Sequence, residues 1–185
     1  VVCNDEQNPA SHGVPPDPGY QGHDGFAEQK NGRKYNLDDI RKECLWGTLM
    51  AGGAGVEYYF GYQLPENDLV CEDFRSRDRS WEYCDIALRF FADNEIPFWQ
   101  MKCIDDLVKG ERNFCFAKPG SIYLIFMPKG GTSTLSVSEA DSYNLQWFNP
   151  REGGALVEGE PEVASSRLTF TAPDSEDWLA VIRKR

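Results

Sequence analysis

"GGAGVEYYFGY", residues 52–62, follows a helix-like segment with a glycine cluster and then sets one acid among four aromatics. Along Val56–Gly61 the side chains alternate. Val56, Tyr58 and Phe60 share one face of an extended segment, and Glu57, Tyr59 and Gly61 share the other. Read as a strand over 55–61, the stretch places a carboxylate in an apolar surrounding. Such a carboxylate is costly unless it is paired, hydrogen-bonded or used.

Working outward, the segments on both sides read as helices. Upstream, Asn36 is a good N-cap and Asp38 and Asp39 favour the positive helix end. Leu37, Ile40, Cys44, Leu45, Thr48 and Leu49 make one apolar face, and Gly52 and Gly53 stop the helix. Downstream of the polar "QLPENDLVCEDFRSRD", a second helix begins near Asp78. Trp81, Cys84, Leu88 and Phe91 lie on one face, and the helix ends before Pro97. The first seven residues read as a strand ending in acids, and residues 8–35 as a long Pro/Gly/Asn/Asp-rich loop. A loop of that length in a compact domain is usually functional or disordered.

After about residue 103 the period changes to two. "NFCFAKPGSIYLIFMPKGG" reads as a hairpin around Lys118-Pro119-Gly120. Tyr143, Leu145 and Trp147 alternate before a turn at Asn149-Pro150, and "SRLTFTAP" and "DWLAVIRKR" supply two further strands. Short strands separated by Gly/Pro turns indicate a small antiparallel β-sandwich. The order strand, loop, helix, strand, loop, helix has the rhythm of two consecutive βα units.

Bulk properties narrow the function. The 185 residues carry a net charge of −11 and 13% aromatics. That charge opposes nucleic acid or an anionic membrane surface as partner, because phosphates are repelled. No run of 18 apolar residues is present. The chain opens on "VVCNDEQNP" without Met and reads as processed or truncated, so the missing signal peptide says nothing of compartment. Six cysteines lack CxxC or Cys/His spacing, which argues against zinc; free buried thiols are the better reading, with one disulfide the alternative. The alternating acids of a calcium loop are also missing. No cofactor is expected.

"LWGTLMAGGAGVEYYFGY", "DLVCEDFRSRDRSWEYCDIALRFF" and the closing "WFNPREGG…DWLAVIRK" resemble the C-terminal part of bacterial glycoside-hydrolase-like proteins. These join an apiosidase-like (β/α)8 barrel to a module called a "putative collagen-binding domain". The resemblance implies that residues 1–102 are the last two βα units of a TIM-type barrel, strands seven and eight with their helices. It further implies that residues 103–185 are the β-sandwich accessory domain, and that about six upstream βα units are absent. It places Glu6 where the family has its nucleophile, at the end of the seventh strand, and implies a retaining glycosidase. Retaining enzymes need a second carboxyl about 5–5.5 Å away, which an earlier strand would supply. The isolated chain is therefore expected to be inactive.

In that setting an inward Glu57 would hydrogen-bond a sugar hydroxyl or orient Glu6, and an outward one would be an ion-paired structural group. Tyr59 and Tyr62 would stack on a sugar ring or serve as core. His12 and His23 are the two histidines, both in the long loop, and His23 is a candidate substrate contact. Glu66, Asp68, Glu72 and Asp73 with the arginines behind them read as a local ion-pair network of small energetic value. Trp147 and Trp178 read as sandwich core or as a surface platform for a glycan. The expected partners are a glycan substrate or carbohydrate ligand, with self-association through the open half-barrel. The resemblance implies a secreted or periplasmic location. The alternative to an enzyme portion is a non-catalytic carbohydrate- or protein-binding or structural module.

Overall fold

A computed structural model describes residues 2–4, 13–29, 31–138 and 142–185. Its contacts divide the chain into two units, one of residues 1–49 with 53–85 and one of residues 50–52 with 86–185.

In the first unit, β1 (Ala27–Glu28) and β2 (Lys34–Tyr35) form an antiparallel pair. A helical run follows, built of α1 (Leu37–Asp39), a π-helical stretch (Ile40–Trp46) and α2 (Gly47–Met50), the last of these residues already belonging to the second unit. Asn36 starts it with a capping box. Its Oδ1 accepts from Asp39 N–H at 3.1 Å while Asp39 Oδ2 accepts from Asn36 N–H at 3.0 Å, so two otherwise orphaned donors are satisfied. α3 (Asp78–Asp93) begins where the apolar periodicity places a helix start. The chain passes from the first unit to the second within it, after Asp85.

The segment between these helices is not a strand. The only extended pairing of 52–62 among the described residues is an isolated parallel bridge of Val56 with Asn4. Beyond it, the backbone is satisfied by loops. Val14 N–H donates to Tyr59 O at 2.6 Å, Phe60 N–H to Asp68 Oδ1 at 3.1 Å, and Asp68 N–H to Gly61 O at 3.0 Å. A barrel strand needs ladders on both sides; here residues 54–57 pair on one side only, with residues 2–4, and from Tyr59 on the backbone bonds go to loops and a side chain. The expected two βα units of a TIM-type barrel are therefore incorrect. Self-association through an open half-barrel loses its basis, since that face is not formed.

The second unit holds β3 (Lys102–Cys103), β4 (Val108–Lys109), β5 (Phe114–Lys118), β6 (Ile122–Met127), β7 (Thr132–Ser136), β8 (Tyr143–Phe148), β9 (Val157–Gly159), β10 (Glu162–Ala164), β11 (Arg167–Thr171) and β12 (Trp178–Lys184). They make a six-stranded sheet, β3-β5-β6-β12-β8-β9, and a four-stranded sheet, β10-β11-β7-β4, with every pairing antiparallel. Tyr123, Ile125, Met127, Leu145, Trp147 and Ile182 of the first sheet meet Leu135, Leu168 and Phe170 of the second in one buried cluster. The result is a small β-sandwich-like domain.

All six residues of β6 are buried, which explains its unbroken apolar run: a strand covered on both faces cannot alternate. Phe90 of α3 covers part of the outer face, 4.5 Å from the Phe148 ring. The outermost strands are only two or three residues long, which limits the unpaired edge each sheet offers to other chains. All six cysteines are free, but Cys3, Cys71 and Cys103 are exposed where buried thiols were expected; burial pushes the Cys115 thiol up to about 12.

Gly13 marks how closely the loops of the first unit pack. Its φ is +59°, and a Cβ there would lie 2.1 Å from the carbonyl carbon of Phe60. Gly13→Ala is expected to destabilise the chain by about 2–3 kcal/mol, from strain and overpacking together. Urea unfolding measures this, and an unchanged midpoint would contradict the close approach.

Candidate functional site

The site residues expected from sequence are found in different settings. Glu6 and His12 lie outside the described residues. Glu57 is exposed, so the cost of a buried carboxylate does not arise; its N–H donates to Asn4 O at 3.0 Å. Tyr59 is half-buried and meets the exposed Tyr62 edge-on, with ring centroids 5.8 Å apart. The side chain of His23 is 16% exposed, and its Nδ1 accepts from Gly25 N–H at 2.9 Å. The structure thus brings Tyr59 to Tyr62, and His23 to Asp24 and Gly25.

The loops bearing these residues are tied by Arg77, which has no exposed surface. Its Nε and Nη2 donate to Val14 O at 3.2 and 3.1 Å. Its Nη1 donates to Pro65 O and Glu66 O, both at 2.7 Å, and to Ser76 Oγ at 2.8 Å. The guanidinium lies 4.3 Å from the centroid of Phe60. Burial lowers its pKa, and Glu66, Asp68 and Asp17 counter that shift.

The acids of 66–73 accept mainly from backbone, with one ion pair beside these bonds, Asp73 Oδ1 to Arg75 Nε at 3.9 Å. Glu66 Oε2 accepts from the N–H groups of Glu72 and Asp73, at 2.8 and 2.9 Å, and Asp73 Oδ1 accepts from Arg75 N–H at 3.1 Å.

Also in the first unit is a cavity of about 400 Å³, with Asp17, Asp24, Phe26, Asp38, Arg79 and Tyr83 among its walls. That size falls in the range of small-ligand pockets. Asp17 Oδ2 accepts from Arg79 N–H at 3.1 Å, capping the start of α3 from a distant loop, while its Oδ1 is buried without a hydrogen-bond partner. Burial raises the Asp17 pKa; the Arg79 N–H opposes this and the charge of Asp78 adds to it. Two guanidiniums lie against the Tyr83 ring, Arg41 at 4.7 Å and Arg79 at 4.8 Å, and each is held by an acid, Asp38 at 2.5 Å and Glu82 at 2.7 Å. Sequence reasoning did not bring Asp17, Arg79 and Tyr83 together. The available signal was Asp17 between two prolines, a fixed backbone carrying a capping side chain. Among the described residues no group of three or more His, Cys, Asp or Glu is placed to hold a metal ion.

The second unit carries an apolar ledge. Leu88, Phe91 and Ile96 of α3 and the turn after it adjoin Phe98 and Trp99, around a hollow of about 520 Å³. Phe98 is 54% and Trp99 71% exposed. Phe98 meets both neighbouring rings edge-on, Phe91 at 6.0 Å and Trp99 at 5.3 Å. Trp147 and Trp178 form no such platform. Trp147 is buried against Phe170 and Trp178, at 6.0 and 6.4 Å, and Trp178 Nε1 donates to Asp174 Oδ1 at 2.7 Å.

Residues 100–183 match the family model described as "Putative collagen-binding domain of a collagenase". No curated protein matches the chain. A solved structure named "Glycoside hydrolase" superposes with a TM-score of 0.62 at 12% identity, over 84% of this chain and 38% of that one. At such identity the likeness concerns fold alone, and this chain spans 38% of the length of that structure. The second unit is thus similar to a binding domain by its family match, and the chain to part of a glycoside hydrolase by fold.

Asp17 gives this region a pH signature. Its folded pKa is raised above the ordinary 3.8, so the folded carboxyl holds its proton more tightly than the unfolded one. The group therefore costs no stability at pH below 3.8 and costs increasingly as pH rises through its folded value. Asp17→Asn keeps an oxygen for the Arg79 N–H and removes that charge. Urea midpoints should shift in the variant's favour between pH 3 and pH 7; a shift toward the wild type would contradict the assignment.

Proposed function

We propose that this chain is a non-catalytic binding module that engages an extracellular protein or carbohydrate, with the β-sandwich-like unit over about 103–185 as its binding domain. The observation that carries the reading is the family match over residues 100–183. Two further features support it. The interior of the unit is filled by its own core, so recognition is left to the surface. The ledge of Phe98 and Trp99 lies beside the matched segment, and exposed aromatic patches of this kind commonly mark interaction sites. The net charge of −11 disfavours nucleic acid. No helix among the described residues is long and apolar enough to cross a membrane.

A second reading is favoured by the fold likeness over 84% of the chain: the chain is a portion of a longer glycoside-hydrolase-like protein. In that protein Glu6 is the carboxylate to test, with Glu57, Tyr59, Tyr62 and His23 as substrate contacts. Glu6→Gln there would abolish hydrolysis of an aryl glycoside if Glu6 is the nucleophile, and full activity would remove it from that role.

The binding reading is tested by passing the chain over immobilised triple-helical collagen, heat-denatured collagen and a glycan panel. Saturable binding to at least one surface is expected. Replacing Phe98 and Trp99 together by Ala should weaken it about tenfold or more, as for aromatic anchors elsewhere. Failure to bind every surface would overturn the proposal, and unchanged affinity in the double variant would remove the ledge from it.

A further inference from the structure

The turn at His23–Phe26, anchored by backbone bonds of His23 with Gly19 and Tyr20, also carries two side-chain hydrogen bonds that compete once a proton arrives. Gly25 N–H donates to His23 Nδ1 at 2.9 Å, and Phe26 N–H donates to Asp24 Oδ1 at 3.0 Å. An imidazole that accepts at Nδ1 is neutral and carries its proton on Nε2. Asp24 Oδ1 lies 3.9 Å from that same Nδ1. The turn also borders the cavity, since Asp24, Gly25 and Phe26 form part of its wall.

We infer that His23 is a pH-sensitive latch that sets the shape of this cavity wall. In the neutral state Nδ1 fastens Gly25. A proton taken from solvent at Nδ1 turns the acceptor into a donor, so the Gly25 N–H loses its partner and faces another N–H. The new Nδ1–H finds Asp24 Oδ1 as its nearest carboxylate oxygen. That oxygen also accepts from the Phe26 N–H, so drawing it toward the imidazolium lengthens that bond and perturbs a second amide.

Space forces the change to spread. Gly25 has φ +77°, and a Cβ there would lie 2.7 Å from Pro18 Cγ, so the Gly25 backbone is seated directly against Pro18, another wall residue. Phe26, 38% exposed, leads directly into β1. The remaining charged side chains of the wall are Asp17, Asp38 and Arg79. Asp38 is paired with Arg41 and Arg79 with Glu82, and Asp17 Oδ2 accepts from the Arg79 backbone. The switch is local, needs no ligand, and stands independently of what the chain binds.

The test is a ¹H–¹⁵N NMR titration of the whole chain between about pH 8 and pH 5, the range over which an imidazole is positioned to titrate. The Gly25 and Phe26 amides should shift with the same midpoint as the His23 ring. Gly25 exchange, corrected for its intrinsic pH dependence, should accelerate at least about tenfold at the acid end, as expected of a lost hydrogen bond. His23→Asn keeps an acceptor near the Nδ1 position and cannot take the proton, so both responses should vanish. Asp24→Asn should preserve the Gly25 response and suppress that of Phe26. Asp17→Asn should leave both unchanged. The latch is overturned if the ring titrates while both amides stand still, if the ring does not titrate in this range, or if His23→Asn retains the wild-type response.

Discussion

The loops of the first unit depend on one buried cation. Arg77 draws together Val14 with the Phe60 ring and the Pro65–Glu66 corner, from two loops distant in sequence. Removing a guanidinium from water is costly, and the cost is offset here by carbonyl acceptors and an aromatic face as well as by nearby carboxylates. A planar fork with donors on three nitrogens suits this geometry, and a lysine could not reproduce it. Because those carbonyls belong to loops, Arg77 fixes the register of 13–17 against 59–68. Gly13 is drawn in at the same place, with its O accepting from the buried Tyr35 hydroxyl at 2.6 Å.

The β-sandwich-like unit rests on a different principle. Its stability comes from apolar burial between two antiparallel sheets, spread over many residues, and its polar contacts finish the edges. Thr132 with Thr171 and Thr134 with Thr169 join side chains across β7 and β11 on the outer face of the four-stranded sheet. A fold whose interior is filled in this way offers recognition through its surface, and the ledge at Phe98 and Trp99 is its most exposed aromatic feature.

Much of this was legible in the sequence because the signals were local. The Asn36 cap, the start of α3 at Asp78 and the strands with period-two alternation all follow from residues close to one another. The misreading at 55–61 has a physical cause. The alternation of Val56, Tyr58 and Phe60 is common to a half-buried strand and to a loop pinned on one side. Phe60 is buried because Arg77, seventeen positions later, stacks on it. Arginines are rarely fully buried, so nothing in "RSRDRS" distinguishes Arg77 from Arg75, which is exposed. Glu57 looked costly only under the strand reading; in the loop it faces water. The role of Asp17 was hidden for a similar reason, since its cap at the start of α3 spans 62 residues.

The central physical claim is that residues 57–68 are a loop clasped by Arg77 and not a strand in a ladder. Hydrogen exchange on Arg77→Met tests it most directly, read at the amides of Val14, Phe60 and Asp68. If one clasp holds all three, their protection should fall together and by a similar factor, as one cooperative opening. If their protection persists, or each is lost independently, Arg77 is not what organises this part of the molecule.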